Sequence, residues 1–177
     1  MGAALSSPVP GRRAGRFFFL LAWIAGLYLA TRFFAGWEQR EENPNQVVGS
    51  QHGQGYVEVN LLSNRQGHFV ADGRVNGQKV QFMVDTGATF VAVPEPVARR
   101  LELERGMPVA LNTANGRTQG YQTQLASLQL GDITLKGVRA VVMPGLDDEQ
   151  ILLGMSALKQ LEFTQRGGNL LLRQTTK

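Results

Sequence analysis

The chain contains no cysteine, so no disulfide, thiol nucleophile or cysteine-ligated metal can form. That absence leaves the compartment open, because a disulfide-free domain can fold in any of them. Histidine is scarce as well. His52 and His68 stand apart with no ligand motif around either, and both read as surface residues. No metal and no cofactor is expected. A large excess of one charge is also lacking: the formal net charge is +4, and from Asn45 onward 13 Lys/Arg face 11 Asp/Glu. With aromatics at only 8%, this is a poor nucleic-acid footprint, and no nucleic-acid partner is expected. The glycines between Asn64 and Gly77 lack both the Lys-bearing pattern and the following helix of a phosphate loop. Past the amino terminus there is no long helical periodicity, and there is no internal repeat.

What is present begins with one long apolar run. Phe17 to Thr31 carries no charge, and after Arg32 the apolar character resumes through Trp37. Together these are about 20 residues, or roughly 30 Å of helix, enough to cross a bilayer. Arg32 can snorkel to the headgroups, and Trp37 suits an interfacial belt. A cleaved signal peptide fits less well, because cleavage after Ala30 or Ala35 leaves Tyr28 or Phe33 where a small residue is needed. Arg12, Arg13 and Arg16 precede the run and mixed charge follows it. The positive-inside rule therefore keeps the short amino end cytoplasmic. The expected organisation is a cytoplasmic segment at 1–16, a transmembrane anchor at 17–37, a polar linker at 38–55 and one domain at 56–177. In a bacterium that is a single-pass inner-membrane protein with its carboxy-terminal domain in the periplasm.

That domain reads as all-β with short helices. Asn76-Gly77 between His68–Val75 and Gln78–Val84 is a two-residue hairpin signal, since it supplies the positive φ angles of a type I′ turn. Pro94-Glu95-Pro96 opens a short helix through Leu101. A second hairpin is expected around Asn115-Gly116, flanked by Val109–Leu111 and Tyr121–Leu125. Leu128–Leu130, Gly131-Asp132 and Ile133–Leu135 form a third turn, and Val138–Met143 reads as a further strand. Met155–Leu161 is a second short helix, after which Glu162–Thr164 and Asn169–Arg173 can close the sheet. These segments describe a β-barrel-like domain of about 120 residues.

One motif carries chemistry. Phe82-Met83-Val84-Asp85-Thr86-Gly87-Ala88-Thr89 puts a carboxylate at the end of an apolar strand, followed at once by a turn glycine. Ionising an acid there is costly unless it is compensated, and Gly87 lets the turn aim backbone N–H groups at it. Thr86 can tie the loop down through its hydroxyl. Alone, Asp-Thr-Gly is equally a strand-to-loop turn with local hydrogen bonds. Downstream, however, stand Thr113-Ala114-Asn115-Gly116 and Ile151-Leu152-Leu153-Gly154-Met155-Ser156-Ala157-Leu158.

In that order and spacing these segments resemble the retropepsin-like (clan AA) aspartic proteases, in particular their bacterial, single-span, membrane-anchored branch. The resemblance spans nearly all of 68–173. It implies a retropepsin-like acid-protease barrel, one lobe per chain. Asp85 then matches the catalytic aspartate, and Thr86 the threonine that braces two active-site loops across a dimer. Gly87 matches the turn glycine, and Ala88 the cleft-lining position after it. Thr113, Ala114, Asn115 and Gly116 match the flap over the substrate. Leu152, Leu153 and Gly154 match the strand that threads beneath the catalytic loop. The flap of viral relatives is richer in glycine and apolar residues than Asn112–Gly120, a departure that touches closure and specificity.

Metal-free peptide hydrolysis through water needs a base and an acid, which two carboxylates sharing one proton supply. No second such triplet exists here. Asp72 and Asp132 lie in other contexts, and Asp147-Asp148-Glu149 reads as a solvated acidic loop. The expectation is a homodimer with one Asp85 from each chain, its interface including Asn169–Arg173, acting on a polypeptide substrate. The rival reading is a non-catalytic dimerising or peptide-binding module on the same fold. A third is a plain anchored scaffold.

Overall fold

A computed structural model describes residues 11–113, 116–146 and 149–176. The chain divides after Arg40 into two units. The first is the helix α1, Gly11–Glu42, which runs on for two residues past that division. Exposed from Gly15 to Arg40, it holds an apolar stretch long enough to cross a membrane. A signal sequence near an amino terminus has the same properties.

The second unit is β-rich. Its strands are β1 Ser50–Gly53, β2 Tyr56–Leu62, β3 Val70–Val75, β4 Gln78–Val84, β5 Val91–Pro94, β6 Pro108–Thr113, β7 Gly116–Leu130, β8 Ile133–Met143, β9 Gln150–Leu153, β10 Glu162–Arg166 and β11 Asn169–Thr175. Helices α2, Glu95–Arg100, and α3, Met155–Leu158, punctuate them. Seven strands run β3-β4-β9-β5-β8-β7-β6, and an extra β3–β7 pairing closes six of them into a barrel with β6 outside. The other four form the antiparallel sheet β1-β2-β11-β10. Alternating residues of both sheets meet in one core, with Phe82, Leu125, Ile133, Ile151, Leu153 and Leu172 almost wholly buried.

The expected all-β barrel with short helices is the architecture observed. The first hairpin is as expected: Val75 pairs with Gln78 across Asn76 (φ 50°) and Gly77 (φ 80°). Pro94 caps α2 from outside the helix, where its missing N–H costs nothing.

Four details differ from the sequence reading. The segment at 38–55 is not a free linker. It is helical through Glu42, and Asn43 and Asn45 are then 2% and 6% exposed. The Asn45 amide donates to the carbonyls of Leu62 (2.8 Å) and Val70 (2.7 Å) and accepts from the Leu62 N–H (2.8 Å). Asn43 donates to Asp72 at 2.6 Å. Asparagine in a polar run looks like solvent-facing chain, yet its amide can replace a missing strand residue between two others. Second, the strands expected at Tyr121–Leu125 and Leu128–Leu130 are one strand, β7, and those at Ile133–Leu135 and Val138–Met143 are one strand, β8. Third, α3 stops at Leu158. Fourth, β11 is paired on both edges, by β2 and β10, so Asn169–Arg173 has no free backbone edge for an inter-chain strand.

Candidate active site

Asp85 follows the last residue of β4, and β4 runs parallel to β9, with Val84 opposite Leu153. The Asp85 N–H donates to the Leu153 carbonyl at 3.2 Å, so the strand beneath holds the start of the loop. The turn then doubles back. Gly87 N–H donates to Asp85 Oδ1 at 2.8 Å, and Ala88 N–H to the Asp85 carbonyl at 3.3 Å. The Gly87 amide thus gives the half-buried carboxylate a hydrogen-bond partner from within its own loop.

The loop is also held from its far side. Met155 N–H donates to Ala88 O (2.8 Å) and Ser156 N–H to Thr89 O (3.0 Å). Gly154 is buried directly below. A Cβ there would come within 2.7 Å of the Ala88 carbonyl oxygen and would also meet the backbone of Phe90, so no larger residue fits. Leu153 sits in the core, whereas Leu152 points the other way and is only half-buried. The structure thus gathers Asp85, Gly87, Ala88, Leu153 and Gly154 into one construction.

Thr86 belongs to the same loop but faces outward, exposed, and its hydroxyl makes no hydrogen bond among the described residues. The hairpin at Asn112–Gly120 also forms. Thr113 pairs with Gly116 and donates through Oγ1 to the Gly116 carbonyl at 2.9 Å. Gly116, with φ 107°, is the first residue of β7. Ala114 and Asn115 lie outside the described residues, as do Asp147 and Asp148 of the acidic loop. Neither Thr113 nor Gly116 lines the cavity at Asp85.

That cavity, about 190 Å³, is bounded by Asp85 and Thr86, by His68 and Phe69, by Leu158, and by Phe163, Gln165, Leu170 and Leu172 of the terminal hairpin. Among the described residues Asp85 is the one carboxylate on its wall.

The roles of four residues here escaped the sequence reading. His68, exposed as expected, also lines this cavity. Phe163 and Gln165 line it from β10. Ser156 joins three elements: its Oγ accepts from Val91 N–H (2.9 Å) and donates to the Arg139 carbonyl (2.7 Å). A serine after a helix-opening glycine reads locally as a capping residue, so its role across strands left no signal. His52 is not in a linker but in β1, where it pairs with Asp132 at 2.8 Å.

Comparisons with known proteins point one way. A family model described as "gag-polyprotein putative aspartyl protease" matches residues 71–160, about half of the chain. An uncharacterised protein in the cobV 5′ region of a Sinorhizobium species is 36% identical over 118 residues, covering 63% of this chain and 49% of that protein. An uncharacterised protein of Rickettsia prowazekii (strain Madrid E) is 32% identical over 109 residues, covering 59% and 46%. The chain therefore spans about half the length of these curated relatives. Among solved structures, a retropepsin-like aspartic protease from Rickettsia conorii is 29% identical, with TM-score 0.58, covering 73% of this chain and 97% of that one.

Proposed function

The chain belongs to the family of gag-polyprotein aspartyl proteases, and we propose from that membership that it is an aspartic endopeptidase working as a homodimer with one Asp85 from each chain. The observation that carries this reading is the Asp85 loop itself. Its carboxylate accepts from the Gly87 amide at 2.8 Å, is seated on β9, and faces a cavity with no second acid among the described residues. A dyad that shares one proton supplies both the base that draws a proton from water and the acid that protonates the scissile carbonyl oxygen. A two-fold copy is the source of the missing half.

Thr86 would brace the paired loops, Gly87 and Ala88 would shape them, and Leu152, Leu153 and Gly154 would support them from below. Thr113, Ala114, Asn115 and Gly116 would cover the substrate. The edge of β10 suits the contact better than β11 does. It is exposed throughout and bonded on one side only. Antiparallel pairing of two copies about Thr164 sets Glu162 opposite Arg166 and Phe163 opposite Gln165, so the strand is self-complementary. Phe163 and Gln165 also wall the Asp85 cavity, so this pairing sets both cavities beside the axis. The division at 1–16, 17–37, 38–55 and 56–177 is kept in function, with the third part clipped to the fourth by Asn43 and Asn45. The helix would anchor the enzyme in the inner membrane with the protease domain in the periplasm, where substrates are polypeptides.

The test uses the full chain in detergent micelles with a peptide library at pH about 4–7, beside Asp85→Asn. Equal cleavage by both removes the enzyme reading in favour of a non-catalytic peptide-binding module. A proton-sharing dyad also requires a bell-shaped pH profile. At constant total protein, an equal mixture of wild type and Asp85→Asn should show about a quarter of the wild-type activity if two chains share one site. Half the activity would mean that each chain works alone.

A further inference from the structure

Strand register assigns each side chain of the seven-stranded sheet to one of two faces. Phe82, Ile151, Val91, Val93 and Val142 point into the core. Their neighbours form the other face, joined across the strands: Met83 opposite Leu152, Leu152 opposite Ala92, Ala92 opposite Val141, Val141 opposite Gln122. Asp85 lies two residues past Met83 and so continues the line of this face. Ala92 and Val141 are 4% and 3% exposed yet stand outside the core cluster. Met83, Leu152, Ala92 and Val141 thus make an apolar row across β4, β9, β5 and β8 on that face.

At its far end lies a second cavity of about 110 Å³. Val109 and Val141 give it apolar walls, Gln122 an amide, and Phe90, five residues beyond Asp85, an aromatic side. Arg139 also lines it, with its guanidinium 5.9 Å from the Phe90 ring centroid. No residue of the lining is acidic, and Arg139 forms no ion pair among the described residues. Stacking on an aromatic face holds a guanidinium in place and leaves its N–H fork free at the edge. That fork matches a carboxylate, while the valines accommodate the methylene groups that carry one.

We propose that this cavity is a specificity pocket for an acidic side chain of the substrate polypeptide, with Arg139 as the residue that selects it. The proposal rests on the endopeptidase reading and names the kind of sequence the enzyme prefers: one with Glu or Asp at a fixed position a few residues from the cut bond.

Two measurements on the full chain in micelles test it separately from catalysis. Cleavage of a peptide library by the wild type should show Glu or Asp enriched at one position. For a matched pair of peptides, Glu should exceed Gln in kcat/KM by about tenfold. Arg139→Gln should bring that ratio near one, and Arg139→Glu should invert the preference towards Lys or Arg. Binding of the same fluorescent pair to Asp85→Asn, and to Asp85→Asn combined with Arg139→Gln, gives the preference without chemistry. If the wild type cuts nothing but the Arg139-dependent preference appears in binding, the pocket stands and the endopeptidase reading falls. Cleavage with no acidic enrichment overturns the pocket, as does an enrichment that survives Arg139→Gln. Equal binding of both peptides also overturns it.

Discussion

The loop that carries Asp85 and the hairpin formed by β6 and β7 lie in the same sheet and are built in opposite ways. The loop is held from below by β9, from one side by the N–H groups of Met155 and Ser156, and from within by the Gly87 amide. The Gly154 contact leaves no room for it to sink. The hairpin, whose β6 lies outside the closed barrel while β7 belongs to it, has its own ladder and one edge against β8, and most of its residues near the tip are exposed. An acid that must meet its partner within a hydrogen-bond distance needs a fixed seat, whereas a cover that must admit a polypeptide needs to give way. The contrast assigns rigidity and compliance by hydrogen bonds rather than by secondary-structure type, since both regions are β hairpins or strand ends.

Substitutions can break or sharpen this contrast. The largest effect is expected on the fixed side. Asp85→Asn should lower kcat by about 10³-fold or more with little change in urea midpoint, because it removes a proton-transfer group while keeping size. Gly154→Ala should destabilise by about 1–3 kcal/mol, seen as a lower midpoint at unchanged slope, because the obstructing atoms are backbone oxygens that cannot swing aside. Ser156→Ala should cost about 1–3 kcal/mol by orphaning the N–H of the fully buried Val91. Asn45→Leu should cost a comparable or slightly smaller amount. It strips partners from the Val70 carbonyl and from both backbone groups of Leu62, and protection of the Leu62 amide from hydrogen exchange should fall with it. On the compliant side, Thr113→Val should change stability by less than about 0.5 kcal/mol, since its hydrogen bond is exposed, and should act on KM instead. A Thr113 variant that destabilised as much as Gly154→Ala would erase the distinction.

What could be read beforehand follows the locality of the cause. Asn76-Gly77 announced its hairpin, because the positive φ angles are a property of those two residues. The Pro94 boundary was equally legible. The parallel partners of β4 and β5 were not. Parallel pairing joins segments far apart in sequence and leaves no turn signal between them, so β9 was recognisable only as an apolar run ending in glycine. The continuous β7 and β8 were cut short in reading for a related reason. A long strand that serves two neighbours changes burial pattern along its length, and Gly137, with φ 63°, interrupts β8 without ending it. Asn43 and Asn45 were misread as linker because asparagine is as much at home in solvent as in a buried amide bridge, and only its neighbours decide.

By itself the sequence determined the apolar helix, the strand that ends in Asp85, the turn that follows it and the lack of a second such triplet. Each is set by the chemistry of residues next to one another. The tertiary structure alone decided what the acid rests on, that His68, Phe163 and Gln165 share its cavity, that β10 rather than β11 offers a free edge, and that Arg139 meets Phe90. Each of these joins residues separated by many others, and their proximity is fixed by sheet register and burial in a common core, which no local pattern records.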